Sequence, residues 1–259
     1  MFLKKLFRAI PLPIFRGPNA GLYWSVASGI RYFRGKFVPG KGSALPLLIE
    51  SGEVVWDIGA HRGYTVLLES RFVGAQGRVF AFEPNPDSRN FIERHLRWNR
   101  VANVTLFPWA MGREEGELSF GWNPTERHSS LACRLGGEGQ RVTVKGIDQL
   151  IAAGKAASPT LIKMDIEGAE LDALHGAAEL LRRERRLVLV LATHSVALHD
   201  QCSTLLRTAG FELVEAGNVA IARREGWSSI GDADILAFGP DRVVSAAARE
   251  AFSRIGRHG

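Results

Sequence analysis

From Val54 onward, short apolar runs bounded by glycine, proline or charge alternate with stretches of helical periodicity. The runs near 54–58, 78–83, 103–108, 160–165 and 187–193 read as strands. Asn85 followed by Pro86 reads as a helix cap and first helical residue, with Phe91, Ile92, His95 and Leu96 along one side of the helix. A second helix is predicted from Glu167-Gly168, aligning Leu171, Leu174, Ala178 and Leu181 toward the sheet. A third, over 196–209, stops at Gly210, and Phe211-Glu212-Leu213-Val214-Glu215 and Ile235-Leu236-Ala237-Phe238 then read as strands that can form a hairpin at the sheet edge. Strand-helix alternation of this kind predicts an α/β fold, a doubly wound parallel sheet covered on both faces.

Two regions break the alternation. Residues 112–145 carry glycine-rich turns with Glu117-Leu118-Ser119-Phe120 and Val142-Thr143-Val144 as short strands, an insertion suited to acceptor specificity. Ser129 and Ser130 lie there as loop residues that could touch an acceptor, and His128 has no placement suggesting chemistry. Residues 11–45, rich in glycine, proline and aromatics, read as an irregular arm. The expected organisation is a basic arm over 1–45, a main domain over 46–240 and a tail or helix over 241–259.

At 259 residues and 46% hydrophobic, the chain suits one large domain. No 18-residue apolar run occurs, which argues against a transmembrane helix. Cys133 and Cys202 form neither a metal spacing nor a disulfide framework, so a cytoplasmic location is expected. Charge is uneven: residues 1–49 hold eight bases and no acid, leaving 25 bases against 27 acids in the remainder. Such an arm suggests an anionic partner. Met1 to Ile10 can form a short amphipathic helix on an anionic membrane, stopped by Pro11, so that residues 1–15 would make a peripheral contact. The alternative is a lid or packing arm with solvated charges. The Arg182-Arg183-Glu184-Arg185-Arg186 run reads as cations favoured at a helix C-terminus rather than as a nucleic-acid patch.

In open α/β sheets ligands bind beyond the carboxyl ends of the strands. Asp57, Gly59, Ala60, Gly63 and Tyr64 stand at the first such end, Glu83 at the second, Asp165 with Glu167 at the fourth and His194 at the fifth. The two glycines let the backbone approach a ligand, and Glu83, twenty residues after Gly63, is placed to hold both hydroxyls of a ribose. Dinucleotide sites set a helix N-terminus against a pyrophosphate, which the Asp57 carboxylate would repel. A ligand carrying an ammonium and a sulfonium suits Asp57 better, which favours S-adenosylmethionine over NAD. Asp165 would face the donor methyl and orient or deprotonate an acceptor hydroxyl. His194 is a candidate general base near neutral pH. Glu167 and Glu170 also suit a helix N-terminus, and the spacing of these acids requires no metal.

These segments resemble the FkbM family of S-adenosylmethionine-dependent methyltransferases over roughly residues 50–215. The likeness rests on Val55 to Thr65, Gly77 to Pro86, Asn99 with Asn103-Val104, and Ile162 to Glu170. It implies a seven-stranded Rossmann-like sheet with an antiparallel last strand and methyl transfer to a hydroxyl of a sugar, glycan or natural product. It also implies that Asp57, Gly59, Gly63 and Glu83 hold the cofactor and that the segment near Ala110 lies beside the adenine. His61 stands where the family has asparagine, and Ala192 where it often has an acid. Two other readings compete: a nucleic-acid methyltransferase, suggested by the arm but lacking an Asn-Pro-Pro-Tyr-type segment, and a noncatalytic, membrane-associated cofactor-binding protein.

Overall fold

Residues 10–34, 39–120, 140–217, 219–226 and 229–254 are described by the structure, a computed structural model. The first ten residues' expected amphipathic helix, apart from Ile10, lies outside them, as do His128, Ser129, Ser130 and Cys133.

In chain order the elements are β1 (Pro11–Pro13), β2 (Tyr23–Ser25), α1 (Pro39–Leu48), β3 (Val54–Ile58), α2 (Tyr64–Val73), β4 (Arg78–Phe82), α3 (Pro86–Trp98), β5 (Val104–Phe107), β6 (Ala110–Gly112), β7 (Gly116–Phe120), β8 (Gln140–Gly146) and α4 (Ile147–Ala152). They continue with β9 (Leu161–Met164), α5 (Glu170–His175), α6 (Ala178–Arg183), β10 (Val188–Ser195), α7 (Val196–Thr208), β11 (Glu212–Ala216), α8 (Val219–Glu225), β12 (Ser229–Phe238) and α9 (Ala246–Ser253). Seven strands form the main sheet in the order β11-β12-β10-β9-β3-β4-β5. From β10 to β5 all pairs are parallel, whereas β12 runs antiparallel to both β10 and β11. The chain winds outward from β3 in one direction to β4 and β5, and in the other to β9 and β10. The topological switch point, where a crevice opens beyond the strand ends, therefore lies between β3 and β9.

Side-chain alternation along the strands builds two cores. Trp56, Ile58, Phe80, Phe82, Ile162 and Met164 meet α5, α6 and α7 on one face. Val55, Val79, Ala81, Leu161 and Val190 meet α1, α2, α3 and α9 on the other. The expected cap of α3 is present: the Asn85 side chain accepts from the Asp87 and Ser88 N–H groups, and Pro86 opens the helix.

Two expected elements differ. The helix predicted from Glu167 begins at Glu170 and breaks at Gly176-Ala177, which turns Ala173, Leu174, Ala177, Leu180 and Leu181 into the core and leaves Ala178 exposed. A Cβ at Gly176 would lie 2.2 Å from the Gly112 carbonyl oxygen, so β6 packs directly on the break. The Asp148 carboxylate then caps α6, accepting from the N–H groups of Glu179 at 2.7 Å and Leu180 at 2.9 Å. A cap donated from 31 positions away in sequence leaves no local signal. The last strand, read only as Ile235–Phe238, runs from Ser229 and lies between β10 and β11, with α8 in the connection. Its antiparallel pairing with β11 at the sheet edge is as expected.

The arm is more ordered than its composition suggests. β1 and β2 form an antiparallel pair, and Trp24 stacks on His95 of α3 at 3.9 Å between centroids. Asn99 fastens β2 by accepting from the Tyr23 N–H at 2.7 Å and donating to the Tyr23 carbonyl at 2.9 Å. β6, β7 and β8 make a separate three-stranded sheet in the expected insertion.

Candidate cofactor and acceptor site

The site begins with β3. Its last residues run into the turn Gly59–Gly63, in which His61, Gly59 and Gly63 all have positive φ (49°, 81° and 82°). Glycine meets this requirement without strain, and histidine, like asparagine, visits the left-handed region more readily than most residues. At Gly59 the need is also steric, because a Cβ would stand 2.0 Å from the Asp165 carbonyl oxygen. The expected cofactor turn and the expected catalytic strand end are thus in backbone contact. α2 then starts at Tyr64, and Gly63 at its N-cap has no side chain with which to cap it.

Glu83 lies one residue past β4, beside this turn. Its Oε2 accepts from the His61 backbone N–H at 2.7 Å and its Oε1 from the Asn85 N–H at 2.9 Å. Because the His61 contact is made by the backbone, the family's asparagine is not needed for it. Burial pushes the Glu83 carboxyl up, against those two N–H groups and the Lys163 charge, to about 7. Burial, reinforced by Arg62 and Lys163, takes the His61 imidazole down to about 3, so it is neutral.

Asp57 is fully buried. One oxygen accepts from the Thr65 hydroxyl in the first turn of α2, and the other pairs with the Lys163 ammonium at 3.0 Å. Any ammonium of a ligand would meet a carboxylate whose charge is already shared. No motif of the sequence assigns Lys163 a role. The signal was a lysine between Ile162 and Met164 in an otherwise apolar strand, a charge that needs an opposite charge on the neighbouring strand.

At the ends of β9 and β10 the expected catalytic pair is brought together. His194 Nε2 stands 3.4 Å from Asp165 Oδ1 and 3.8 Å from Glu170 Oε1, while Nδ1 faces Glu167 Oε2 at 3.8 Å. Glu170 is tied down by the N–H groups of Ile166 and Gly168. Partial burial would lower the His194 pKa, but the Asp165 hydrogen bond and the charges of Glu167, Asp165 and Glu170 outweigh it and bring it to about 9. To act as the general base expected of it, the imidazole has therefore first to give up a proton. Asp165, Glu167 and His194 can each offer one ligand atom, all within 4.8 Å of one another, which is also the donor set of a small cation site. Ala110 opens β6, half-buried beyond the end of β5. Tyr64 is buried in the arm cluster, its ring 4.9 Å from that of Tyr32, while its backbone carbonyl accepts from the Asn19 amide.

A doubly wound sheet of this strand order, with a glycine turn and acids at its strand ends, defines an open α/β domain of the methyltransferase class. The family model "Methyltransferase FkbM domain" matches residues 57–213, more than half of the chain, and the protein belongs to that family. The chain is 29% identical over 164 residues to hexuronic acid methyltransferase AglP of Haloferax volcanii, a match covering 61% of this chain and 65% of that protein. It is 25% identical over 145 residues to Methyltransferase 1 of Beauveria bassiana, covering 46% and 56% respectively. In both cases the chain spans less than two thirds of the relative's length. A solved structure of methyltransferase FkbM from Methylobacillus flagellatus aligns with a TM-score of 0.48 and 18% identity, over 91% of this chain and 50% of that one. Among the described residues, no helix is long and apolar enough to cross a membrane.

Proposed function

We propose that this protein is an S-adenosylmethionine-dependent O-methyltransferase acting on a hydroxyl of a sugar, glycan or natural product. The observation that carries the reading is the assembly of Glu83, Asp165 and His194 around one glycine turn, with Gly59 touching the backbone of Asp165. Family membership and the sugar-directed name of the Haloferax relative support it. The residues fit the cofactor: Glu83 can accept from both ribose hydroxyls, the helix N-terminus that follows the glycine turn can meet the carboxylate of the methionine portion, and the acidic strand ends suit a cation.

When bound, that cofactor supplies an electrophilic methyl group. The protein has then to hold the acceptor oxygen in line with it, and alignment alone can contribute an effective molarity on the order of 10⁵ M. Asp165 orients the hydroxyl, and His194, once it has lost its own proton, takes the proton released as the oxygen–carbon bond forms and the carbon–sulfur bond breaks. Proton transfer of this kind contributes roughly 10²–10⁴-fold. In this reading the His194 proton supplies the positive charge between the carboxylates, and no metal takes part.

The test is transfer of a labelled methyl group to sugar, glycan and polyol acceptors. The rate is expected to climb as pH rises through 7 and 8, to pass its midpoint near 9, where half of His194 is neutral, and to persist in EDTA. A flat profile would remove His194 as base, and loss of activity in EDTA restored by a divalent cation would replace the imidazolium with a metal. Binding of the donor with no methylated product from any acceptor class would leave only a cofactor-binding protein.

The arm gives the same protein a peripheral contact with anionic membrane, in a cytoplasmic enzyme. Phe15 and Ile30 are 68% and 66% exposed, beside the exposed Arg16, Arg31 and Arg34. Co-sedimentation with phosphatidylglycerol vesicles but not with phosphatidylcholine vesicles is expected, and is expected to be lost when residues 1–15 are removed. Equal recovery with both vesicle types would contradict the contact and leave the arm as packing.

A further inference from the structure

The register of the sheet sets Asp57 of β3 directly opposite Lys163 of β9, on the face covered by α2. The Lys163 side chain is 7% exposed, and its ammonium makes two contacts: Asp57 Oδ1 at 3.0 Å and the Gly59 carbonyl at 2.8 Å. Asp57 in turn binds the Thr65 hydroxyl. One chain of polar contacts therefore runs from Gly59 through Lys163 and Asp57 to Thr65, and it grips the turn at its first glycine and at the first turn of the following helix. Glu69, also on α2, is fully buried over the same pair. Burial and the Asp57 charge push its carboxyl well above the ordinary range.

We propose that Lys163 is a positioning residue that fixes the Gly59–Gly63 turn in the shape that receives the cofactor. This rests on the cofactor reading above. The bland account is that Lys163 only neutralises a buried carboxylate. The two accounts part at Gly59: a neutralising charge has no need of that carbonyl, whereas a clamp does. They also part electrostatically, since a buried lysine beside a cationic ligand works against binding unless its geometric role outweighs the repulsion.

Lys163→Met alone would strand the Asp57 carboxylate in the core and could fail to fold for that reason. The comparison that separates the accounts is Asp57→Asn against Asp57→Asn/Lys163→Met, read by melting temperature, calorimetry with S-adenosylmethionine, and amide hydrogen exchange. The double variant should melt at or above the single one, because a lone buried cation has been removed. It should nevertheless bind at least about tenfold weaker, with exchange at residues 59–64 accelerated and the rest of the sheet unchanged. If the double variant binds as tightly as the single one, or tighter, and turn exchange does not change, Lys163 is only a charge partner and the proposal is overturned. Failure of the wild-type protein to bind S-adenosylmethionine would count against the cofactor reading instead, and exchange at the turn would still decide whether Lys163 holds it.

Discussion

Replacing Glu83 by glutamine is expected to weaken S-adenosylmethionine binding about 100-fold while the fold survives. The carboxylate is held at the tip of β4 by the N–H groups of His61 and Asn85, and each of its oxygens keeps capacity for a further bond. Two ribose hydroxyls donating to it would make charge-assisted bonds of about 1.5–3 kcal/mol each. Glutamine keeps one acceptor but turns an amide toward donors, so a net loss of about 2–3 kcal/mol follows, at about 1.4 kcal/mol per tenfold.

A pH signature goes with this. Glu83 moves from 4.5 to about 7 in the folded protein, so between those values the folded state holds a proton that the unfolded chain has released. Stability should fall as pH rises through that window. A ligand that donates to the carboxylate prefers the ionised form, so wild-type affinity should rise through pH 7 and the variant's should not. Calorimetry at pH 6, 7 and 8 reads both, and unchanged affinity in Glu83→Gln would remove Glu83 from the cofactor site.

Asp165→Asn is expected to do the reverse: a fall in turnover on the order of 10²–10³-fold, with cofactor affinity within about threefold. Asparagine preserves the shape of the side chain and leaves the backbone contact with Gly59 in place. What it removes is the carboxylate 3.4 Å from His194 Nε2, and with it part of what raises the imidazole to about 9 and, in the proposed mechanism, the group that would orient the acceptor hydroxyl. The pH midpoint of the residual activity should therefore shift downward. Turnover within twofold of wild type would show that Asp165 neither orients the acceptor nor sustains the base.

Much of the fold was legible in the chain. Strands buried on both faces must be apolar, which marked β3, β4, β9 and β10, and the cap at Asn85 is local chemistry that marked α3. The break at Gly176 was hidden because its causes, the approach of Gly112 and the Asp148 cap, are long-range. The sequence predicts only the second half of β12 because its first half carries Gly231, Asp232 and Asp234, which break an apolar run. At the site, the positions of Glu83, Asp165 and His194 at strand ends followed from motif spacing, since a strand end is a local event. The charge on His194 did not, because it depends on three acids arriving from β9 and the start of α5.

The amino-acid order alone determined that there would be an open α/β sheet with a glycine turn and acids at its carboxyl ends, because apolar periodicity and turn chemistry act over a few residues. Only the tertiary structure decided that Asp57 faces Lys163, that Lys163 reaches Gly59, and that His194 sits among Asp165, Glu167 and Glu170. Charges interact through space, and strand register, which is set by the packing of both cores, brings residues 57 and 163 opposite each other.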